Sequence, residues 1–333
     1  PRDTAPDPAG PRRPRWLTSL AAGLATGALG LAALLAIPLL SRQPTTRLEE
    51  RRPGMDRLGP ADAPTAPVSA IARGRLIPGP GTPADLPGAW PQFRGPQRDG
   101  RPADATPLAR QWGSNGPPAH WSVELGEGYA GAAVRDGRVY VLDYDQANGM
   151  DALRCLSLAD GRELWRYAYP VKTKRNHGMS RTVPTVSGKY VVALGPKCHL
   201  ICLDAVTGEL AWGLDLVETF NVEIPQWYAG ECPLVDGDRV ILGTGGDALV
   251  VALDLATGRT LWKSPNPHDW KMTHSSVTPL EVAGRRMYVY CGSGGVAGIA
   301  AEDGSLLWET DAWSISIATV PTPVPVGDGR LFL

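Results

Sequence analysis

Two patterns of apolar residues divide the chain. Residues 16–40 form one apolar run of 25 residues without a charged side chain. From about residue 131 onward, short runs rich in valine, leucine, isoleucine and tyrosine alternate with turns that contain glycine. One long apolar run predicts a helix, whereas short β-branched and aromatic runs between glycine turns predict strands.

The run at residues 16–40 is long enough to cross a bilayer, which takes about 20 helical residues. It exceeds the apolar stretch of a cleavable signal peptide, so we expect a retained transmembrane helix that acts as a signal-anchor. Arginines lie closer to its N-terminal end, which predicts a basic cytoplasmic N-terminus at 1–15. We therefore expect a single-pass protein of the cell (inner) membrane, with a Pro-rich linker at 41–88 and the remainder facing the periplasm or exterior.

The second part of the chain is a repeat. Trp165, Trp212, Trp262 and Trp308 follow one another at intervals of 47, 50 and 46 residues. Each is preceded four residues earlier by a glycine, and these glycines are Gly161, Gly208, Gly258 and Gly304. Four short strands per repeat of this length are typical of a β-propeller blade. The sequence predicts an all-β fold of four complete four-stranded blades and part of a fifth that begins near Thr319.

Trp121 also fits the series, 44 residues before Trp165, although it lacks the glycine turn. We expect it on an outer strand from the N-terminal side that completes the last blade. Because the sequence begins at Pro1 and ends directly after a turn and a short strand, we expect a fragment of a longer protein. The formal net charge of −1 does not resemble that of a nucleic-acid-binding protein.

The repeat resembles the tryptophan-docking motif AxDxxTGxxxW of the quinoprotein, or PQQ-like, β-propeller family. Residues 252–262 match every fixed position, and residues 202–212 match with Cys202 in place of alanine. The other two units depart further, and residues 298–308 keep only Asp303, Gly304 and Trp308. Residues 90–96 (WPQFRGP) are similar to the lead-in of bacterial members. The resemblance covers residues 89–333 and implies that each tryptophan packs between neighbouring blades of a ring of about seven or eight.

The resemblance leaves the function open, because the family includes both enzymes and binding proteins. The leading interpretation is a ligand- or protein-binding scaffold, not an enzyme. One alternative is a quinoprotein dehydrogenase that uses pyrroloquinoline quinone (PQQ) and Ca²⁺ to oxidise an alcohol or sugar. Such enzymes typically carry a disulfide between adjacent cysteines, and this sequence has no adjacent pair. The other alternative is an envelope assembly platform similar to the outer-membrane assembly lipoprotein.

The segments that precede the first strand of each blade are polar and aromatic, and in a propeller they converge at the mouth of the central channel. We expect a protein partner or small ligand to bind there, since donors and acceptors beside flat apolar faces suit a binding site. No catalytic residue or metal ligand is assigned. The candidate binding residues are His177, Arg181, Trp227, Tyr228, Glu231, Asp269, Trp270 and His274.

The five cysteines favour packing roles. Cys155 and Cys202 each lie ten residues before a repeat tryptophan, where the other units have alanine or glycine. On a strand, Cys198 and Cys202 should be about 13 Å apart, too far for a disulfide. Cys232 and Cys291 could form a pair or remain free.

Overall fold

The computed structural model describes residues 70–103, 109–174 and 178–333. Almost all regular structure in this part is β, and antiparallel sheets of four or five strands follow one another along the chain. The predicted all-β class is confirmed. We number the sheets 1 to 4 in chain order.

Each sheet is an antiparallel meander in which the first strand lies at one edge and each later strand pairs with the one before it. Sheet 1 has an additional outer strand, β1, beside β5. Its strands are β1 (Arg75–Pro78), β2 (Ala133–Arg135), β3 (Arg138–Asp145), β4 (Met150–Ser157) and β5 (Glu163–Pro170). Sheet 2 consists of β6 (Thr185–Ser187), β7 (Tyr190–Leu194), β8 (His199–Asp204) and β9 (Leu210–Asp215).

The last two sheets repeat the arrangement, and a two-stranded ribbon follows them. Sheet 3 consists of β10 (Leu234–Asp236), β11 (Arg239–Gly243), β12 (Val250–Asp254) and β13 (Thr260–Lys263). Sheet 4 consists of β14 (Thr278–Val282), β15 (Arg285–Gly292), β16 (Gly295–Ala300) and β17 (Leu306–Thr310), and the ribbon of β18 (Val324–Pro325) and β19 (Leu331–Phe332). A short helix, α1 (Leu216–Phe220), follows sheet 2, and Asp215 caps its N-terminus by accepting a hydrogen bond from the Val217 amide.

The hydrophobic core lies between successive sheets. One cluster joins side chains of sheets 1 and 2, a second joins sheets 2 and 3, and a third joins sheets 3 and 4. Strands in the middle of a sheet are therefore covered on both faces, as in β8, where every residue but the last is buried. This explains why such strands read as continuous apolar runs instead of alternating ones.

The repeat tryptophans lie at these sheet-to-sheet contacts. Each indole ring packs against the turn glycine of the next sheet, so that a Cβ at the glycine would overlap the ring. The pairs are Trp121 with Gly161, Trp165 with Gly208, Trp212 with Gly258, and Trp262 with Gly304. The glycines have φ between +71° and +78°, a conformation that glycine adopts without strain.

A small residue stands opposite each tryptophan on the neighbouring strand. Cys155, Cys202 and Gly298 pair with the tryptophan of the last strand in sheets 1, 2 and 4. At Gly298 an added Cβ would overlap the Trp308 ring. The interpretation of Cys155 and Cys202 as small packing residues is confirmed. All five cysteines are buried and free, so Cys232 and Cys291 do not form a pair.

The segment at residues 90–98, which contains the WPQFRGP motif, contacts the first strands of sheets 1 and 2 and the residues just before sheet 3. Trp90 exchanges two backbone hydrogen bonds of 2.8 Å with Val134 in sheet 1, and the carbonyl of Pro91 accepts from the Val186 amide in sheet 2. The buried Arg98 then donates to the carbonyls of Cys232 and Pro233 at 3.4 and 3.3 Å, where sheet 3 begins. This segment ties together the inner edges of three sheets.

Two local expectations differ from the structure. The predicted linker at 41–88 includes a 3-10 turn at Ile71–Arg73 and strand β1, which adds to the outer edge of β5. The residues around Trp121 form no strand, and the indole docks alone, donating from Nε1 to the Leu158 carbonyl at 2.9 Å. Strand β1 is hard to recognise in the sequence because it contains a proline and has a glycine on either side. This short segment becomes a strand only by pairing with β5.

The predicted localisation needs correction. Within the described ranges, no helix is long and apolar enough to cross a membrane. This finding overturns the expected single-pass localisation in the inner membrane and leaves anchoring through an N-terminal helix without support. The expected cytoplasmic segment at 1–15 and the expected helix at 16–40 lie outside the described residues.

Candidate functional site

The segments that lead into the first strands lie side by side at one end of the sheets. We call them the lead-in segments: residues 127–132, 178–184, 226–233, 272–277 and 318–322. Each donates hydrogen bonds to the next one: Tyr129 N to Ser180 O at 2.7 Å, Val183 N to Cys232 Sγ at 3.2 Å, Cys232 N to Ser276 Oγ at 3.0 Å, and His274 N to Thr319 O at 3.0 Å. The first strands β2, β6 and β10 also contact one another in this order.

The lead-in segments surround two adjoining cavities, which we call the funnel. The inner cavity has a volume of about 360 Å³ and the outer one about 310 Å³. Tyr129, Arg181, His274 and Val320 line both cavities. Phe93, from the WPQFRGP segment, lines the inner cavity, and Trp227 lines the outer one.

Aromatic rings hold the two basic side chains of the funnel. The Arg181 guanidinium lies over the Tyr129 ring, 5.6 Å from its centroid. The His274 ring is 6.5 Å from Trp227 between centroids, and Gly230 leaves the space that this ring occupies. Burial lowers the pKa of His274, and the charge of Arg181 lowers it further. His274 is therefore neutral at pH 7, and Arg181 supplies the positive charge of the funnel.

Tyr228 and Glu231 belong to the same lead-in segment as Trp227 but lie behind the cavity wall. The Tyr228 hydroxyl accepts from the Lys174 amide at 2.9 Å and donates to the Lys174 carbonyl at 2.8 Å, which fixes the loop after sheet 1. Tyr228 has φ +68°, a strained conformation for a bulky residue. Strain of this kind is concentrated at functional sites.

Glu231 is fully buried, and its Oε1 accepts a hydrogen bond of 2.8 Å from the Gly243 amide. Burial raises the pKa of Glu231 well above its ordinary value, while the amide of Gly243 and the charge of Arg98 oppose the shift. Among the described residues, Glu231 Oε2 has no hydrogen-bond partner. Burial therefore favours the protonated form of this carboxyl group in the wall behind the funnel.

The remaining candidates lie elsewhere. Asp269 is on the surface and pairs with Lys271 at 2.8 Å. Trp270 is buried beneath the turn between β15 and β16, where its ring contacts Gly292 and Gly294, so it lines neither cavity of the funnel. His177 lies outside the described residues.

Sequence reasoning missed Phe93, Tyr129 and Val320. Tyr129 stands just before β2, at the place in its repeat that Arg181 takes before β6, so an alignment of the repeats on their first strands could have found it. Phe93 belongs to the WPQFRGP motif, whose place in the fold could not be predicted from the sequence. Val320 precedes a ribbon of only two short strands, where the repeat pattern is weak.

The comparisons agree with the architecture of a PQQ-like β-propeller. Residues 149–315, about half of the chain, match the family model described as "Outer membrane protein assembly factor BamB". The chain belongs to this family of PQQ-like β-propeller proteins. A comparison with curated protein sequences finds no match.

Several solved structures are similar to this chain. BamB from Moraxella catarrhalis is 20% identical over 62% of this chain and 56% of its own, with a TM-score of 0.44. Quinohemoprotein alcohol dehydrogenase from Comamonas testosteroni is 19% identical over 54% of this chain and 34% of its own, with a TM-score of 0.40. A europium-containing methanol dehydrogenase is 14% identical over 68% and 49%, with a TM-score of 0.45. The matched regions span between about a third and just over half of these proteins.

The family raises the question of whether the funnel fits Ca²⁺-bound PQQ. Ca²⁺ takes six to eight oxygen ligands, several of them carboxylates. Neither cavity of the funnel has a carboxylate among its described lining residues, and the nearby Glu231 carboxyl is buried behind the cavity wall. The described lining of the funnel therefore does not fit the divalent cation.

Proposed function

We propose that this chain is a ligand- or protein-binding scaffold whose binding face is the funnel end of the propeller. One observation carries the proposal. Lead-in segments from successive repeats are hydrogen-bonded directly to one another, and they place a cation and aromatic rings around a common cavity. Pockets of this composition are typical ligand sites, because flat apolar faces supply contact area and the few polar groups fix orientation.

The family favours a protein as the partner. The matching family model is described as an outer-membrane assembly factor, which supports a role as an assembly platform. Exposed apolar side chains lie at the mouth of the funnel, where Tyr129 is 70% and Val320 is 59% exposed. In this proposal, residues 89–333 belong to the propeller domain, and β1 adds an outer strand to it. The complete ring has about seven or eight blades.

The native cysteines allow a direct test. Because all five are buried, a cysteine introduced on the surface will be the main site of maleimide labelling in the folded chain. We would compare Tyr129→Cys, at the funnel, with Val206→Cys, which is 57% exposed in the turn at the opposite end of sheet 2. Labelling rates are measured with purified protein and again in an extract of the native host.

The proposal predicts that the extract slows labelling at position 129 severalfold and leaves position 206 unchanged. Equal slowing at both positions, or slowing at 206 alone, would contradict a binding face at the funnel. The labelling rate of urea-unfolded protein serves as a control for the intrinsic reactivity of each thiol.

A further inference from the structure

The turn between β7 and β8 is bonded to two of the lead-in segments. The Leu194 carbonyl accepts from the Thr182 hydroxyl at 2.6 Å, and the Pro196 carbonyl accepts from the Ala229 amide at 2.9 Å. We call residues 194–198 the support turn. Because both lead-in segments bond to it, its position is linked to theirs.

The two bonded residues stand next to residues of the funnel. Ala229 precedes Gly230, and the absence of a side chain at Gly230 leaves the space that the His274 ring occupies. Thr182 follows Arg181, which lines both cavities of the funnel. A displacement of the support turn therefore reaches the wall of the funnel through two buried or half-buried segments.

A buried carboxyl group lies on the other side of the support turn. Asp151 of β4 is fully buried, and an added Cβ at Gly195 would overlap its Oδ2 atom and the hydroxyl of Tyr169. Oδ2 accepts a hydrogen bond from that hydroxyl at 2.6 Å, while Oδ1 has no partner among the described residues. The support turn therefore covers a carboxyl group that is only partly hydrogen-bonded.

Ionisation of this carboxyl group is unfavourable while the turn covers it. A carboxylate in a buried position loses its hydration, and one hydrogen bond does not replace it. Burial raises the pKa of Asp151 to about 7, the charge of Asp143 contributes in the same direction, and the Tyr169 hydroxyl opposes the shift. Because Gly195 lies directly against the carboxyl group, displacement of the support turn would hydrate the carboxylate.

Other titratable groups stand on the elements around Asp151. They are Asp143 of β3, Arg154 of β4, Tyr169 of β5, Lys197 of the support turn, His199 of β8 and Asp215 of β9. Asp143 pairs with Arg154 at 2.9 Å, and His199 pairs with Asp215 at 3.4 Å. Burial lowers the pKa of His199, so its titration stabilises the closed state as pH rises, opposite to the effect of Asp151.

We propose that Asp151 and the support turn form a pH-sensitive switch that holds the wall of the funnel in place while Asp151 is protonated and loosens it when Asp151 ionises. This inference concerns the regulation of the proposed binding face and rests on the proposed function in that respect. With the turn displaced, Asp151 is hydrated and has an ordinary pKa of about 3.9. The displaced state is therefore favoured increasingly between about pH 4 and pH 7, and no further above that range.

Amide hydrogen exchange of the whole chain tests the switch without any ligand. The Ala229 amide donates to the support turn, so its protection reports local opening there. Relative to the unfolded chain at the same pH, its protection should fall at least about tenfold between pH 5 and pH 7 and stay level above pH 7.5. The Gly258 amide, which donates to the Asp254 carbonyl at the opposite end of sheet 3, should change less than about twofold.

Matched variants connect the response to Asp151. In Asp151→Asn, which cannot ionise, protection at Ala229 should change less than about twofold over the same range. Asp238→Asn, at an exposed position, should retain the tenfold fall. Tyr169→Phe removes the hydrogen bond that favours the carboxylate, so the fall should extend to higher pH. Circular dichroism confirms that each variant is folded.

Three results would overturn the inference. Protection at Ala229 that does not depend on pH, or a fall that survives Asp151→Asn, would remove the role of Asp151. An equal fall at Gly258 would show that the whole protein responds to pH and not the support turn. If position 129 is protected from labelling in the extract while Ala229 shows no pH response, the proposed function stands and this inference fails.

Discussion

The contacts between neighbouring sheets differ by one hydrogen bond at the tryptophan. Trp212 Nε1 donates to the Leu255 carbonyl at 2.9 Å. Trp165 Nε1 is buried and finds no acceptor among the described residues. The equivalent carbonyl, that of Ala205, accepts instead from the Tyr140 hydroxyl at 2.9 Å. The same motif therefore stabilises successive contacts by different donors.

This difference predicts unequal effects of one substitution. Trp212→Phe removes the hydrogen bond from the indole to the Leu255 carbonyl. Trp165→Phe removes a donor that has no acceptor among the described residues. Both lose similar apolar contact. We expect Trp212→Phe to lower the free energy of unfolding by about 1–2 kcal/mol more than Trp165→Phe, as measured by urea denaturation. Trp112→Phe, at an exposed position, is the control. Equal losses at 165 and 212 would contradict this interpretation.

A second prediction concerns the turn glycines. Gly208 has φ +78°, and a Cβ there would lie 2.6 Å from Cδ2 of Trp165. Gly284 has φ +75°, and a Cβ there would meet no atom within 4 Å. Alanine at either position adds backbone strain, but only Gly208→Ala also displaces an indole. We expect Gly208→Ala to destabilise the protein by about 1–3 kcal/mol more than Gly284→Ala in urea denaturation. A smaller effect at Gly208 would mean that the ring does not require this space.

At the scale of elements, strands that pack against a neighbouring sheet could be predicted from the sequence, whereas the exposed strand β1 could not. The runs that became β3, β7, β11 and β15 are rich in β-branched and aromatic residues and follow glycine turns, so their positions could be read from the sequence. Strand β1 has only four residues and all are exposed. Its conformation depends on pairing with β5, which lies about 90 residues later in the chain and cannot be read from local composition.

The docking of this segment can be tested at Ile71. Its side chain is 1% exposed, its carbonyl accepts from the Tyr167 hydroxyl at 2.8 Å, and Gly213 of β9 leaves space for it. We expect Ile71→Ala to cost about 2–5 kcal/mol in thermal or urea unfolding. Ile77→Ala, at an exposed position of β1, should cost less than about 0.5 kcal/mol. Similar values for both would show that the segment does not dock between sheets 1 and 2.

A buried carboxyl at the contact between sheets 1 and 2 predicts a pH dependence. Asp151 Oδ2 accepts from the Tyr169 hydroxyl at 2.6 Å, and burial raises the pKa of Asp151 to about 7, with the charge of Asp143 contributing in the same direction. In the unfolded chain the ordinary value is about 3.9. Between about pH 4 and pH 7 the folded protein retains a proton that the unfolded chain has lost, so stability falls as pH rises.

Asp151→Asn should remove this contribution. The urea midpoint of the unsubstituted chain should fall between pH 5 and pH 7 more steeply than that of the variant, while Asp238→Asn, at an exposed position, should leave the slope unchanged. A slope that is the same with and without Asp151 would contradict the raised pKa.

At the scale of the whole molecule, the site was predictable only in part. Arg181, Trp227 and His274 stand in the polar lead-in segments that the repeat pattern identified, and they do line one funnel. Phe93 lies in a segment far earlier in the chain that reaches the funnel through hydrogen bonds to β2, to β6 and to the residues just before β10. Trp270 has the composition of a site residue, yet it packs beneath a turn of its own sheet. Which polar side chains meet at the axis depends on how the sheets are arranged around it, and local sequence does not specify that.

The most direct measurement is site-specific photo-cross-linking from the two ends of the propeller. A benzophenone amino acid would replace Val320, at the funnel, or Val206, at the opposite end, which have similar exposures of 59% and 57%. After irradiation in cells of the native host, a binding face at the funnel predicts a discrete adduct from position 320 that is at least about tenfold more abundant than any adduct from position 206. Adducts of equal yield at both positions, or from position 206 alone, would contradict it.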